Sequence, residues 1–101
     1  GFVLTMAAGG TMTEIMADAV SLMVPSDNSA VKQALTKLKT YPLLTGYRGN
    51  PPANIDAICN AVQALQAYVI DNADTVCEVE VNPLICTPVR AVAADALIRK
   101  A

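Results

Sequence analysis

Two periodicities divide this chain. An apolar residue at every second position marks a half-buried strand, and one at every third or fourth marks a helix face. Phe2 to Met6 reads as a first strand, with Gly9-Gly10 as its turn, and Thr11 to Met16 as a second. In Ala19 to Val24, Val20, Leu22 and Val24 alternate with Ala19, Ser21 and Met23, and Pro25 closes the run. Ser26-Asp27-Asn28-Ser29 then offers several capping side chains. Val31, Leu35 and Leu38 follow at helical spacing, and Tyr41-Pro42 closes that helix. After a loop over Leu43 to Pro52, Asn54 caps a second helix, whose stripe is Ile55, Ile58, Val62, Leu65 and Val69.

Alternation resumes from Val76 to Val81, with Cys77, Val79 and Val81 on one face and Glu78, Glu80 and Asn82 on the other. Pro83 ends ordinary pairing there, since it has no N–H to give. Thr87-Pro88 marks a turn, and Val89 to Ile98 reads as the partner strand. Strands, then two helices, then a hairpin predict an α+β fold: an antiparallel or mixed β-sheet with two helices packed on one face.

Length bounds this to one domain with a modest core. Composition is 53% hydrophobic and only 4% aromatic, so that core is aliphatic. A net charge of −2 argues against a nucleic-acid surface, which needs clustered Lys and Arg. No apolar run reaches the ~18 residues of a membrane span. The absence of histidine excludes a Ser-His-Asp or Cys-His machine within the chain. Cys59, Cys77 and Cys86 fit neither a C-x-x-C pair nor an even disulfide set, and read as buried reduced thiols of a cytoplasmic protein. The chain begins without Met, directly in a strand-like run, as a piece of something longer would.

The chemistry-bearing feature is the acidic strand face. Glu78, Glu80 and Asn82 present only hard oxygen donors, which suit Mg²⁺; the alternative is a solvated edge. Asp95 stands among small and apolar neighbours, where a lone carboxylate has no packing reason to exist. With the turn centred between Thr87 and Pro88, Glu80 faces Asp95 and Asn82 lies on the diagonal, within reach of one cation. A one-residue change of register would break that arrangement.

Glu80-Val81-Asn82-Pro83-Leu84 resembles the Glu-x-Asn-Pro-Leu motif of the ATP-grasp domain in NDP-forming acyl-CoA synthetases, succinyl-CoA synthetase among them. Asp95-Ala96 also matches. Tyr41 to Gly49 with Pro51-Pro52 looks like the Leu-x-Gly-x-Arg-Gly-x-Pro-Pro run of the single-chain ADP-forming enzymes. Gly9-Gly10, Glu14 and Asp18 resemble their Gly-Gly-x-x-x-Glu-x-x-x-Asp segment.

This resemblance implies the C-terminal lobe of an ATP-grasp domain over residues 1–101. The implied parent reaction is acyl-CoA plus ADP and phosphate giving acid, CoA and ATP through a phosphohistidine. Asn82 and Asp95 would hold Mg²⁺ on the ATP or ADP phosphates, and Glu80 would meet the phosphohistidine loop. Arg48 and Gly49 would line the nucleotide side, with a surface Arg holding its loop as the alternative. Glu14 joins them by position, charge pairing being equally open for it and for Asp18. The implied partners are the other ATP-grasp lobe and a CoA-binding module carrying the histidine, and an oligomer is compatible with this. Leu22 stands where the family pattern has Arg, and Thr13 where it has an apolar residue. These departures keep two other readings open: a regulatory domain fused to an acetyltransferase, and a non-catalytic assembly module.

Overall fold

The computed structural model describes residues 2–7, 18–46, 49, 51–81, 84–93 and 96–100, with backbone alone at 80, 81, 85 and 92. Among these the order is β1 (Phe2–Ala7), β2 (Ala19–Val24), α1 (Asn28–Leu35), α2 (Tyr41–Leu44), α3 (Ile55–Asp71), β3 (Val76–Val81), β4 (Leu84–Cys86), β5 (Ala91–Ala93) and β6 (Ala96–Lys100). The class is α+β, with three helices rather than two, and antiparallel pairs β1–β2, β3–β6 and β4–β5. The strand expected over 11–16 lies outside the described residues.

β1 and β2 pair from Phe2↔Val24 to Ala7↔Ala19. Their alternation sends Leu4, Met6, Val20 and Leu22 inward against α1 and α3, while Val3, Thr5, Ser21 and Met23 face out. The core is Val31, Leu35 and Leu38 from α1 and its exit, with Ile58, Cys59 and Val62 from α3. Leu84, Cys86 and Ala91 of β4 and β5 pack against the same cluster. Both helical stripes therefore do what their spacing predicts.

Each long helix begins where a side chain supplies the missing acceptor. Asp27 accepts the Ala30 N–H at 2.8 Å, and Asn54 accepts the Ala57 N–H at 2.9 Å. α1 stops at Leu35, earlier than the stripe suggests, where the ladder tightens: the Lys37 and Leu38 N–H groups donate three residues back, to the Ala34 and Leu35 carbonyls. The Lys39 amide, which a continuing helix would give to Leu35, goes instead to the Asp18 carboxylate at 2.6 Å. Pro42 was expected as a terminator, but it sits in the first turn of α2, where a missing N–H costs nothing.

The C-terminal hairpin differs from expectation by its turn. Pro88 and Val89 are the two central residues: the Thr87 N–H donates to the Arg90 carbonyl at 2.8 Å, and the Thr87 hydroxyl oxygen accepts the Arg90 N–H at 3.1 Å. Pro favours the first central position of such a turn, which moves the centre one residue toward the C-terminus. Glu80 consequently pairs with Leu97, and the expected Glu80–Asp95 facing pair is corrected.

A register shift between Val76 and Glu78 also interrupts β3. The extra residue of such a bulge breaks strict alternation. Val76 is buried, whereas Cys77 and Glu78 are both exposed. The expectation of three buried thiols thus fails at Cys77; Cys59 is buried, Cys86 is half-buried, and all three are free.

Candidate functional site

On β3, Glu78 is already engaged. Its carboxylate accepts from the Arg99 guanidinium at 2.7 Å, across the rung that pairs the two residues. One of the three oxygen-bearing residues on the expected acidic face is therefore held by a cation from the opposite strand. The face stays open to solvent: Glu78, Leu97 and Arg99 are all exposed. Among the described residues no group of three His, Cys, Asp or Glu side chains could hold a metal ion.

Of the residues singled out by sequence, Glu14, Arg48, Asn82 and Asp95 lie outside the described residues, as does the side chain of Glu80. The Glu80 backbone sits in the β3–β6 ladder. Gly49 is exposed with φ +81°, and Gly46 has φ +103°. Nothing lies within 4 Å of a Cβ built on Gly49, so the backbone angle alone demands glycine there.

The loop carrying Gly46 and Gly49 is pinned at its base. The Ala53 N–H donates to the Leu44 carbonyl at 2.7 Å, and the Asn54 N–H donates to the Thr87 carbonyl at 2.8 Å. The second bond joins the loop to the turn of the C-terminal hairpin. The glycine loop and the strands bearing the acidic motif thus share an anchor.

Two functional-looking polar residues prove structural, and sequence reasoning gave neither a role. Asp18 is only 4% exposed, and its carboxylate accepts from the Lys39 N–H at 2.6 Å, the Thr40 N–H at 2.9 Å and the Thr40 hydroxyl at 2.7 Å. That hydroxyl, with the two amides and the Lys39 charge, holds the carboxyl below its ordinary pKa despite burial. Gln66 is 3% exposed; its Oε1 accepts the Ser26 N–H at 2.7 Å and its Nε2 donates to the Ser26 carbonyl at 3.0 Å. The spacing did hold a signal for Gln66, which falls four after Val62 and three before Val69. Nothing local to Asp18 points to partners more than twenty residues away.

A recess of about 110 Å³ lies among Phe2, Leu4, Val24, Gln66, Val69 and Glu78. Ligand pockets run to roughly 300–1,000 Å³, so this recess is too small for a nucleotide. No helix among the described residues is long and apolar enough to cross a membrane.

Residues 1–99 match the family model described as an ATP-grasp domain. The chain is 31% identical over 84 residues to the beta subunit of acetate–CoA ligase (ADP-forming) II from Pyrococcus furiosus, covering 83% of this chain and 36% of that subunit. The dinucleotide-forming acetyl-coenzyme A synthetase 1 of Candidatus Korarchaeum cryptofilum superposes with a TM-score of 0.89 at 27% identity, over 98% of this chain and 44% of that one. That structure contains coenzyme A, acetyl-coenzyme A and a phosphorylated phosphohistidine segment. A second structure of it, with the same TM-score and identity, holds coenzyme A and Mg-AMPPCP, over 98% of this chain and 46% of that one. This chain thus spans about a third of the curated subunit and under half of the solved ones. It belongs to the ATP-grasp domain family of the ADP-forming acetyl-CoA synthetases.

Proposed function

We propose that this chain supplies the Mg²⁺ ligands and one wall of the nucleotide site in an ADP-forming acyl-CoA synthetase of the cytoplasm. The observation that carries the reading is the register of the hairpin. The described rungs of β3–β6, from Val79↔Ile98 to Val81↔Ala96, and of β4–β5, from Leu84↔Ala93 to Cys86↔Ala91, share one register. That shared register on either side of them supports treating residues 82 and 95, which lie outside the described residues, as the proposed ligand pair.

An amide oxygen and a carboxylate form a hard donor pair, suited to a cation that takes few protein ligands and keeps several waters. Bound Mg²⁺ would neutralise charge on the nucleotide phosphates. Asn82 and Asp95 would hold it, and Glu80 would meet a phosphohistidine segment contributed by another domain. Arg48 and Gly49 would line the nucleotide side, the Arg offering a fork matched to phosphate oxygens. Glu14 is assigned to the nucleotide side on resemblance alone. The remaining ATP-grasp lobe and the CoA-binding module complete the enzyme. The relatives' bound coenzyme A, Mg-AMPPCP and phosphohistidine segment support this division of labour.

In the full-length enzyme, Asp95→Asn is expected to lower nucleotide-dependent turnover by at least ~10²-fold, the order seen when a group stabilising transition-state charge is removed. Near-normal turnover would reject the metal role.

A further inference from the structure

We infer that the recess between β1 and β3 receives an extended segment of the remaining ATP-grasp lobe, which inserts as a strand and joins the two ribbons; this rests on the reading above that such a lobe completes the enzyme. Phe2 to Leu4 of β1 and Cys77 to Val79 of β3 both line the recess. Three successive residues of a strand send their side chains to opposite faces in turn, so what each run shares toward the recess is its backbone edge. Among the described residues β1 pairs with β2 alone and β3 with β6 alone, and no ladder joins β1 to β3.

In an antiparallel ladder only alternate residues exchange both bonds with the partner, and those between them point their N–H and C=O away. One of Val3 and Leu4 therefore directs both groups toward the recess, and so does one of Glu78 and Val79. Cys77, the extra residue of the bulge, has no opposite number in β6. The floor is α3, where Leu65 and Val69 are apolar and the Gln66 amide is spent on Ser26. An apolar cavity of about 150 Å³ holds a benzene, so the 110 Å³ here takes one aliphatic side chain. Unpaired backbone on two walls over an apolar floor is the setting of an interior strand lying on a helix. The occupant is thus a single strand with an apolar side chain directed at α3, recognised through main-chain bonds on both its edges. A second copy of this chain fits poorly, because every described strand is already committed to a ladder. Relatives of this fold carry more chain outside the matched part than within it, enough to supply such a segment.

Amide exchange in the full-length enzyme tests this residue by residue. With the strand in place both members of each adjacent pair, Val3 with Leu4 and Glu78 with Val79, are protected, their rates within about 10-fold of one another. A larger gap, such as an open edge gives, overturns the inference. A photoreactive p-benzoylphenylalanine placed at Val3, which is 62% exposed and leaves room for the larger ring, identifies the occupant. Its product is expected to join this position to the remaining ATP-grasp lobe. Products that join two copies of this chain or reach the CoA-binding module overturn the assignment, as does the absence of any product. Near-normal turnover in Asp95→Asn falls on the metal reading and moves neither readout.

Discussion

Gln66 and Lys32 show how unequal two polar contacts to α3 can be. Lys32 of α1 meets Asp56 of α3 at 3.0 Å, but the two side chains are 51% and 81% exposed. Exposed ion pairs contribute roughly 0–1 kcal/mol, because water and salt already stabilise the separated charges. Gln66 lies in the buried stripe and satisfies both backbone groups of Ser26. Its loss leaves the Ser26 N–H without that partner, at a cost of about 1–3 kcal/mol. Gln66→Leu is therefore expected to destabilise the protein by about that amount in a urea titration, and Lys32→Ala by less than about 1 kcal/mol. Equal effects would mean that the Gln66 amide contributes packing and little else.

Among the elements, the C-terminal hairpin holds both the lesson and the test. Alternation from Val76 to Val81 was legible in sequence, as was the existence of a turn near Thr87-Pro88. Its centre was not, because one residue either way satisfies the same hydrophobic pattern over so short a strand. The local chemistry of Thr87, which closes the turn with both its amide and its hydroxyl, decides it. Facing Cα atoms at about 4.5–5.5 Å lie within disulfide range, whereas diagonal ones at ~7–8 Å do not. A Glu80→Cys, Leu97→Cys pair is thus expected to oxidise to an intrachain disulfide, and a Glu80→Cys, Asp95→Cys pair to remain reduced. Mass spectrometry under mild oxidant reads the difference, and the opposite result would restore the register expected from sequence.

At the scale of the whole molecule, buried titratable groups define a pH window. The lowered pKa of Asp18 contributes stability that is present above its unfolded value near ~3.9 and lost as pH falls through the folded value. Burial pushes the Cys59 and Cys86 thiols up. Their contribution is full below the unfolded value near ~8.5 and disappears as pH rises through the folded one. Thermal stability is expected to be greatest between ~pH 4 and ~8.5, with Asp18→Asn flattening the acidic limb. An acidic limb unchanged in that variant would show that other carboxylates set it.

The starts of the two longer helices, their capping segments and the strands flanking them were legible in sequence alone, because each depends on spacing and on side chains within a few residues. Asp27, Asn54 and the stripe from Ile55 to Val69 act within their own turns. The family motif was likewise written in the chain, as a short run of residue types in order. Only the tertiary structure decided what Asp18 and Gln66 hold. Those outcomes depend on acceptors and donors brought together from more than twenty residues apart, a distance at which no local pattern carries information.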